Sequence, residues 1–216
     1  MTELSVRQNV LDELEFEPAI DAAHIGVAVD KGVIILSGHV GSYAEKVAAV
    51  AAARRVKGVR AIADEIQVRF PYDKKTADDE IAKRAIDILG WDTLVPRNTI
   101  AITVREGWVT LEGEVNWHFQ RTAAETDVRK LSGVRAVINN IKLKPSVQPA
   151  DVERKIENAL KRHAEIEASA IRVTMGGPNK VILEGTVSNW DERHAVAAAA
   201  WSAPGITAVD DRLEIA

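Results

Sequence analysis

The chain has 216 residues, of which 46% are hydrophobic and 28% charged, and its formal net charge is −4. This composition predicts a folded soluble protein, and the acidic balance disfavours nucleic acid, whose phosphate backbone needs a basic excess. The absence of cysteine excludes disulfides, thiolate zinc sites and cysteine nucleophiles.

The N-terminal segment carries no targeting signal. Residues 1–7 contain no basic region followed by an apolar run, and no stretch approaches the roughly 20 apolar residues of a membrane span. We therefore expect a soluble, cytoplasmic protein without a transmembrane segment. A periplasmic location is the alternative if the natural N-terminus lies further upstream.

An internal repeat is the strongest signal in the sequence. In each copy an apolar run reaches a glycine, a valine lies two residues later, and a second glycine follows 20 residues after the first. The paired glycines are Gly38 and Gly58, Gly113 and Gly133, and Gly185 and Gly205. These spacings predict three domains, at residues 1–70, 78–144 and 150–216.

Each copy opens with apolar residues at the spacing of one helix face. The predicted buried faces are Val6, Val10, Leu11 and Leu14; Ile81, Ala85, Ile86 and Leu89; and Val152, Ile156, Ala159 and Leu160. Alternating apolar residues then predict a strand that starts at Ile25, Ile100 or Ile171, followed by a glycine-containing hairpin turn. The second strands are predicted at Val33–Leu36, Trp108–Leu111 and Val181–Leu183.

A second helix and a third strand complete each copy. Ser42 with Glu45, and Asn189 with Glu192, form capping boxes that predict the helix start in copies one and three. We interpret the first glycine of each pair as a strand exit and the second as a left-handed helix stop. The predicted fold is α+β: three tandem αββαβ units, each a three-stranded mixed sheet with two helices on one face.

The recurring glycine–valine pattern resembles the BON domain family, named for bacterial osmotically induced and nodulation proteins. The residues that carry the resemblance are Gly38, Val40, Gly58, Val59 and Asp64, with their counterparts Gly113, Val115, Gly133, Val134 and Asn139, and Gly185, Val187, Gly205, Ile206 and Asp211. The resemblance implies an αββαβ fold and a non-enzymatic, transport-associated role in envelope or osmotic-stress physiology, with phospholipid or another ligand as the partner.

The polar residues predict no reactive site. The five histidines occupy no recurring position and show no metal-ligand spacing, and no serine is matched by a histidine and carboxylate. We therefore expect no enzyme activity, no metal and no cofactor. Asp64, Asn139 and Asp211 form the one recurring acidic or amide position; we expect them to bind nearby turn amides, with a cation site as the alternative.

Aromatic residues cluster at the start of the second helix. The candidate contact residues are Tyr43, Trp117, His118, Phe119, Arg121 and Trp190. The charge of residues 71–144 is +1, against −2 before them and −3 after them, so the middle copy is the least acidic. One hypothesis is contact with an anionic phospholipid surface, and the other is a protein-interaction scaffold or chaperone-like module. Packing between neighbouring copies is the third explanation of these aromatics.

Overall fold

The computed structural model describes residues 2–70, 76–146, 151–163 and 166–215. Residues 71–75 and 147–150, which link the predicted domains, lie outside the described residues. The chain forms two compact units. The first comprises Met1–Asp92, Ile102–Leu111 and Ala124–Asn139, and the second comprises Thr93–Ala101, Glu112–Ala123 and Asn140–Ala216.

The described residues contain helices and strands in the predicted order, repeated three times. The helices are α1 (Glu3–Phe16), α2 (Tyr43–Arg55), α3 (Asp78–Trp91), α4 (His118–Val128), α5 (Val152–Arg162) and α6 (Trp190–Trp201). The strands are β1 (Ile25–Asp30), β2 (Val33–Val40), β3 (Ala61–Val68), β4 (Ile100–Arg105), β5 (Trp108–Val115), β6 (Ala136–Leu143), β7 (Ile171–Met175), β8 (Lys180–Val187) and β9 (Ala208–Ile215).

Each copy has a three-stranded sheet in sequence order, β1-β2-β3, β4-β5-β6 and β7-β8-β9. In the first copy β1 pairs with β2 antiparallel, and β3 pairs with β2 parallel because α2 crosses over between them. The third copy repeats this pairing. The predicted α+β class and the three αββαβ units are confirmed.

The helices cover the sheets through the apolar faces that the sequence predicted. Val6, Val10 and Leu14 of α1 are buried, and α1 and α2 contact each other and the sheet. The third copy has the same arrangement around Ile156. The expectation for Ile86 is wrong: this side chain is 63% exposed, because α3 buries only the face of Ile81, Ala85 and Leu89.

The first glycine of each pair lies inside the second strand, which corrects the interpretation as a strand exit. The φ angles are 106°, 149° and 131° at Gly38, Gly113 and Gly185. A Cβ atom there would lie 2.0–2.1 Å from the carbonyl oxygen of the residue that precedes the first strand, which is His24, Thr99 or Ala170. Glycine recurs because the neighbouring backbone comes too close for any side chain.

The second glycine has the expected positive φ but does not end the helix. In the first copy α2 ends at Arg55, and the Val59 amide donates to the Val56 carbonyl in a turn whose third residue is Gly58. The φ angles of 93°, 91° and 82° at Gly58, Gly133 and Gly205 fit the third position of type II turns. The glycine therefore shapes the turn between the helix and the last strand.

Acidic residues at the start of the first helix hold the hairpin turn in two copies. Glu3 accepts a hydrogen bond of 2.7 Å from the amide of Lys31. Asp78, at the equivalent position, accepts bonds of 2.7 and 2.9 Å from Glu106 and Gly107. These contacts satisfy turn amides that the hairpin itself leaves without partners.

Candidate functional site

The start of the second helix is built alike in the first and third copies. The Ser42 hydroxyl accepts the amide of Glu45 at 3.1 Å, and the Glu45 carboxylate accepts the amides of Gly41 and Asp21, both at 2.9 Å. This cap satisfies helix amides and also ties the helix to the connector before the first strand.

The third copy repeats this cap with a buried carboxylate. The Asn189 side chain accepts the Glu192 amide at 2.8 Å, and Glu192 accepts the amides of Ser188 and Glu167 at 2.6 and 2.9 Å. Burial by itself would raise the pKa of Glu192, but the hydrogen bonds from Ser188 and Glu167 bring the pKa below its ordinary value. Glu192 is 6% exposed, and two backbone amides donate hydrogen bonds to its carboxylate.

The middle copy departs from this design at the capping position. Trp117 stands where the other copies have Ser42 and Asn189, and an indole cannot accept the amides of the first turn. Gln120 replaces the glutamate, and its side-chain oxygen accepts the amides of Asn116 and Trp117 at 3.0 and 3.1 Å. The tryptophan therefore occupies a position at which the fold favours a small polar residue.

Trp117 and Phe119 form an exposed aromatic pair. Their ring centroids are 6.4 Å apart, with an angle of 25° between the ring planes. Trp117 is 37% exposed and Phe119 is 51% exposed. The half-buried Arg121 follows on the same helix, with its amide 3.5 Å from the Trp117 carbonyl oxygen. These residues form what we call the α4 aromatic surface: Trp117, Phe119 and Arg121.

The other candidate aromatics lie elsewhere. The His118 ring stacks on Trp201 of the third copy, with centroids 4.2 Å apart and 14° between the planes. Tyr43 is half-buried, and the backbone of Val137 in the second copy influences the pKa of its hydroxyl. Trp190 is half-buried, with the Arg193 guanidinium 5.3 Å from its ring centroid. The structure brings Trp117 and Phe119 together and places Tyr43 and His118 between copies.

The environment of Tyr43 raises the pKa of its hydroxyl. Burial is the largest cause, and the negative charges of Glu125 and Asp64 act in the same direction. The backbone of Val137 and the charge of Arg129 oppose them. Residues of α4 and β6 in the following copy thus contribute to the electrostatic environment of Tyr43.

The recurring acidic position is used within each copy. Asp64 accepts the amide of Ile66 at 3.1 Å and pairs with Lys46 at 3.2 Å. Asp211 repeats both contacts, accepting the amide of Leu213 and pairing with Arg193 at 2.8 Å. The aspartates do bind nearby amides, but these amides belong to the strand and not to a turn. The positive charge beside each aspartate comes from the second helix.

Reactive side chains do not converge in the part of the chain that the structure describes. No group of three or more histidine, aspartate or glutamate residues there could hold a metal ion. His24 and His39 stack with their centroids 4.7 Å apart, but no acidic group joins them in such a set. Across the same residues, every buried side-chain nitrogen or oxygen has a hydrogen-bond partner.

Another exposed aromatic side chain, Trp108, lies on the sheet of the middle copy. Trp108 is 51% exposed and Ile138 is 42% exposed. With Thr103, Arg105, Glu106 and Thr110 they line an open hollow of 340 Å³. Sequence reasoning placed Trp108 on a strand but did not select it, because alternation does not reveal which strand positions stay uncovered.

Comparison with known proteins identifies relatives of this chain. Over 134 residues it is 31% identical to the osmotically-inducible protein Y of Escherichia coli (strain K12). The match covers 58% of this chain and 64% of that protein, which is less than two thirds of the relative's length. None of the described helices has both the length and the apolar composition needed to cross a bilayer.

Two solved structures of the Chlamydia trachomatis type III secretion protein CdsD also match. One, of CdsD described as a structural protein of that system, is 15% identical and covers 98% of this chain and 92% of the other. The other, of the CdsD C-terminal domain, is 14% identical and covers all of both chains. Both have a TM-score of 0.27, which does not establish a shared arrangement of the whole chain.

The family model for the BON domain matches three consecutive segments, residues 2–69, 77–145 and 149–216. Each segment contains one αββαβ unit with its strand glycine and its turn glycine. The resemblance read from the sequence is thereby confirmed, and the chain belongs to the BON domain family, with three tandem copies of the domain.

Proposed function

We propose that this chain is a non-enzymatic binding protein that contacts anionic phospholipid surfaces through the α4 aromatic surface. The observation that carries the proposal is the exposed pair of Trp117 and Phe119 at a capping position. Tryptophan and phenylalanine beside a polar helix start suit the headgroup layer of a bilayer, where apolar rings and polar backbone groups are both accommodated.

Helix stability does not explain the presence of a tryptophan at residue 117, because this is a capping position and an indole cannot cap the helix. Replacing a capping residue with a non-capping one typically costs about 1 kcal/mol of stability. Phe119 shares this exposed surface, so two aromatic rings remain in contact with water next to a weakened helix start. A binding function explains why the middle copy has rings at this place.

Charge favours a local and salt-sensitive contact. The whole chain is acidic, so long-range attraction to anionic lipid is absent, while the middle copy has a net charge of +1. Arg121 adds a basic residue to the same helix, two positions after Phe119. Each basic residue close to an anionic membrane contributes about 1 kcal/mol, and this contribution falls within a Debye length of about 8 Å at physiological salt.

The similarity to an osmotically inducible protein supports a role in stress physiology. The relative's name refers to osmotic induction, and we extend that role to this chain, with the bacterial envelope as its place of action. Such a protein would meet lipid from the cytoplasm or from the periplasm.

Liposome co-sedimentation tests the lipid contact. Wild-type protein should pellet with vesicles of phosphatidylcholine and phosphatidylglycerol, and much less with phosphatidylcholine alone. A double variant, Trp117→Ser with Phe119→Ser, should lose roughly tenfold or more in affinity, since burying each aromatic ring contributes about 1.5–3 kcal/mol. The matched control is Ile86→Ser with Trp91→Ser, which removes two exposed apolar side chains from α3.

Wild-type protein that stays in the supernatant with both vesicle types would end the proposal. Equal loss of binding in both double variants would show that general surface hydrophobicity, and not the α4 aromatic surface, mediates the contact. Circular dichroism of each variant establishes that its fold is retained.

The hollow beside Trp108 supports a second candidate function, that of a protein-interaction scaffold or chaperone-like module. An exposed tryptophan next to isoleucine and threonine side chains offers unfolded segments an apolar surface with polar neighbours. The test is suppression of the aggregation of reduced α-lactalbumin. Suppression that disappears in Trp108→Ser but persists in the α4 double variant would favour this function over lipid contact.

A further inference from the structure

The hollow beside Trp108 lies on the open face of the middle sheet. Side chains alternate along β5, so that Val109 and Leu111 are buried while Trp108 projects to the other face and is exposed. Every residue that lines the hollow belongs to the first compact unit. The hollow is therefore a feature of one folded body.

The third copy closes the same part of its sheet with an ion pair. Trp108 begins β5 and Ile138 is the third residue of β6, and the same strand positions in the third copy hold Lys180 and Asp210. The Lys180 ammonium lies 3.0 Å from the Asp210 carboxylate. The middle copy has a large indole and an aliphatic side chain there instead, and both remain in contact with water. The first copy has smaller apolar residues at these positions, Val33 and Ala63.

Polar groups without internal partners surround the indole. In the part of the chain that the structure describes, the side chains of Thr103, Arg105, Glu106 and Thr110 make no hydrogen bond or ion pair with the protein. The two hydroxyls can donate and accept, the guanidinium donates and the carboxylate accepts. One positive and one negative charge give this rim no net charge, which favours a neutral ligand over an ion.

The hairpin turn that carries part of the rim is anchored from two sides. Asp78 accepts the amides of Glu106 and Gly107 at 2.7 and 2.9 Å. The Gly107 carbonyl oxygen in turn accepts the amide of Arg135 at 2.8 Å. The rim is therefore held by fixed backbone, which reduces the ordering cost of binding a ligand.

We infer that this hollow binds a neutral saccharide, with a pyranose ring stacked on the Trp108 indole. In a β-linked glucose unit the ring hydroxyls are equatorial and the axial C–H bonds form two apolar faces. One face suits the flat indole, and the hydroxyls at the edge of the ring then meet the four polar side chains of the rim. A volume of 340 Å³ is at the lower end for small-molecule sites and suits a mono- or disaccharide.

Saccharide binding is separate from the lipid contact proposed above. It uses none of the residues of the α4 aromatic surface, so the double variant Trp117→Ser with Phe119→Ser should bind the saccharide as wild type does. A neutral ligand also releases no counterions, so its affinity should be the same at low and high salt. Anionic lipid binding should weaken as salt is added.

Saturation-transfer NMR with cellobiose, which has two β-linked glucose units, tests the inference. One ring stack and a few hydrogen bonds in an open hollow should give a dissociation constant of about 1 mM. Trp108→Lys, which introduces the residue that the third copy has at this position, should weaken binding about tenfold or more. Thr110→Val removes one hydroxyl at nearly constant shape and should weaken binding about two- to tenfold.

Three controls make the result specific. Trp91→Ala, which removes a tryptophan that is 87% exposed, should leave the affinity unchanged. Trp108→Phe, which keeps a flat ring, should bind better than Trp108→Lys. Sorbitol, which has hydroxyls but no ring face, should receive no saturation transfer.

The absence of saturation transfer from wild-type protein to cellobiose would overturn the inference, as would equal transfer to sorbitol or unchanged affinity in Trp108→Lys. The indole N–H signal of Trp108 separates the saccharide from an unfolded protein segment. A signal that responds to reduced α-lactalbumin and not to cellobiose would overturn the inference in favour of the protein-interaction function. Thr110→Val keeps the test decisive if Trp108→Lys impairs folding.

Discussion

The imidazole of His118 lies flat on the indole of Trp201, with ring centroids 4.2 Å apart. This stack joins the start of α4 to the end of α6. Aromatic pairs of this kind contribute about 0.5–1.5 kcal/mol beyond the area that they bury. The contact therefore couples the second and third copies energetically.

A double-mutant cycle measures that coupling. His118→Ala, Trp201→Ala and the double variant should give an interaction energy of about 0.5–1.5 kcal/mol in urea unfolding. His118→Phe, which keeps a flat ring, should retain most of the coupling with Trp201. Strictly additive effects of the two alanine substitutions would contradict an energetic role for the stack.

The capping position of α4 offers a direct comparison of stability with binding. Trp117→Ser should be about 1 kcal/mol more stable to urea than Trp117→Ala, because a serine hydroxyl accepts a first-turn amide as Ser42 does in α2. Both variants should lose lipid affinity to a similar extent. Equal stability of the two variants would show that Trp117 is not at a position where a side-chain cap forms.

The strand glycine of the middle copy should not tolerate a side chain. Gly113→Ala places a Cβ atom 2.1 Å from the Thr99 carbonyl oxygen at a φ of 149°, so we expect a loss of about 2 kcal/mol or more in the free energy of unfolding. Gly90→Ala is the control within the same copy. No atom lies within 4 Å of its added Cβ, and removing a helical glycine should stabilise α3 by about 0.5–1 kcal/mol.

Acid should weaken the third copy through Glu192. Its carboxyl has an ordinary pKa of 4.5, and the hydrogen bonds from Ser188 and Glu167 outweigh burial and lower that pKa in the folded protein. Because the folded-state pKa is depressed, the stabilisation is complete above the ordinary pKa. It is lost as the pH falls through the lower folded-state value.

Glu192→Gln tests this linkage. A glutamine has one acceptor oxygen, so its NH2 group would face one of the two amides now bound, and the variant should lose about 1–3 kcal/mol at pH 7. The stability difference between variant and wild type should shrink as the pH is lowered below 4.5. Glu214→Gln, at an exposed position of β9, is the control. A difference that stays constant with pH would contradict the role of the Glu192 charge.

In the middle copy the natural residue at the position of Glu45 and Glu192 is a glutamine, Gln120. The position equivalent to Asp21 and Glu167 is Pro96, which has no amide hydrogen to donate. Gln120 therefore has no connector amide to bind, and its single oxygen serves Asn116 and Trp117. Sequence reasoning predicted caps at Ser42 and Asn189 but not this exchange, since the link between the cap and the connector spans more than 20 residues.

The sequence by itself determined the repeat, the order of helices and strands, and the buried faces of the first helices, because these depend on local periodicity and on turn residues. Only the tertiary structure explains why residue 38 is a glycine and why Ile86 is exposed. It also determines where the aromatic rings lie. The sequence does not distinguish between the rings at the start of the second helix, which are Tyr43, His118, Trp117 and Phe119. Their roles differ because the burial of each side chain depends on which distant segments of the folded chain pack against it. The local sequence does not contain that information.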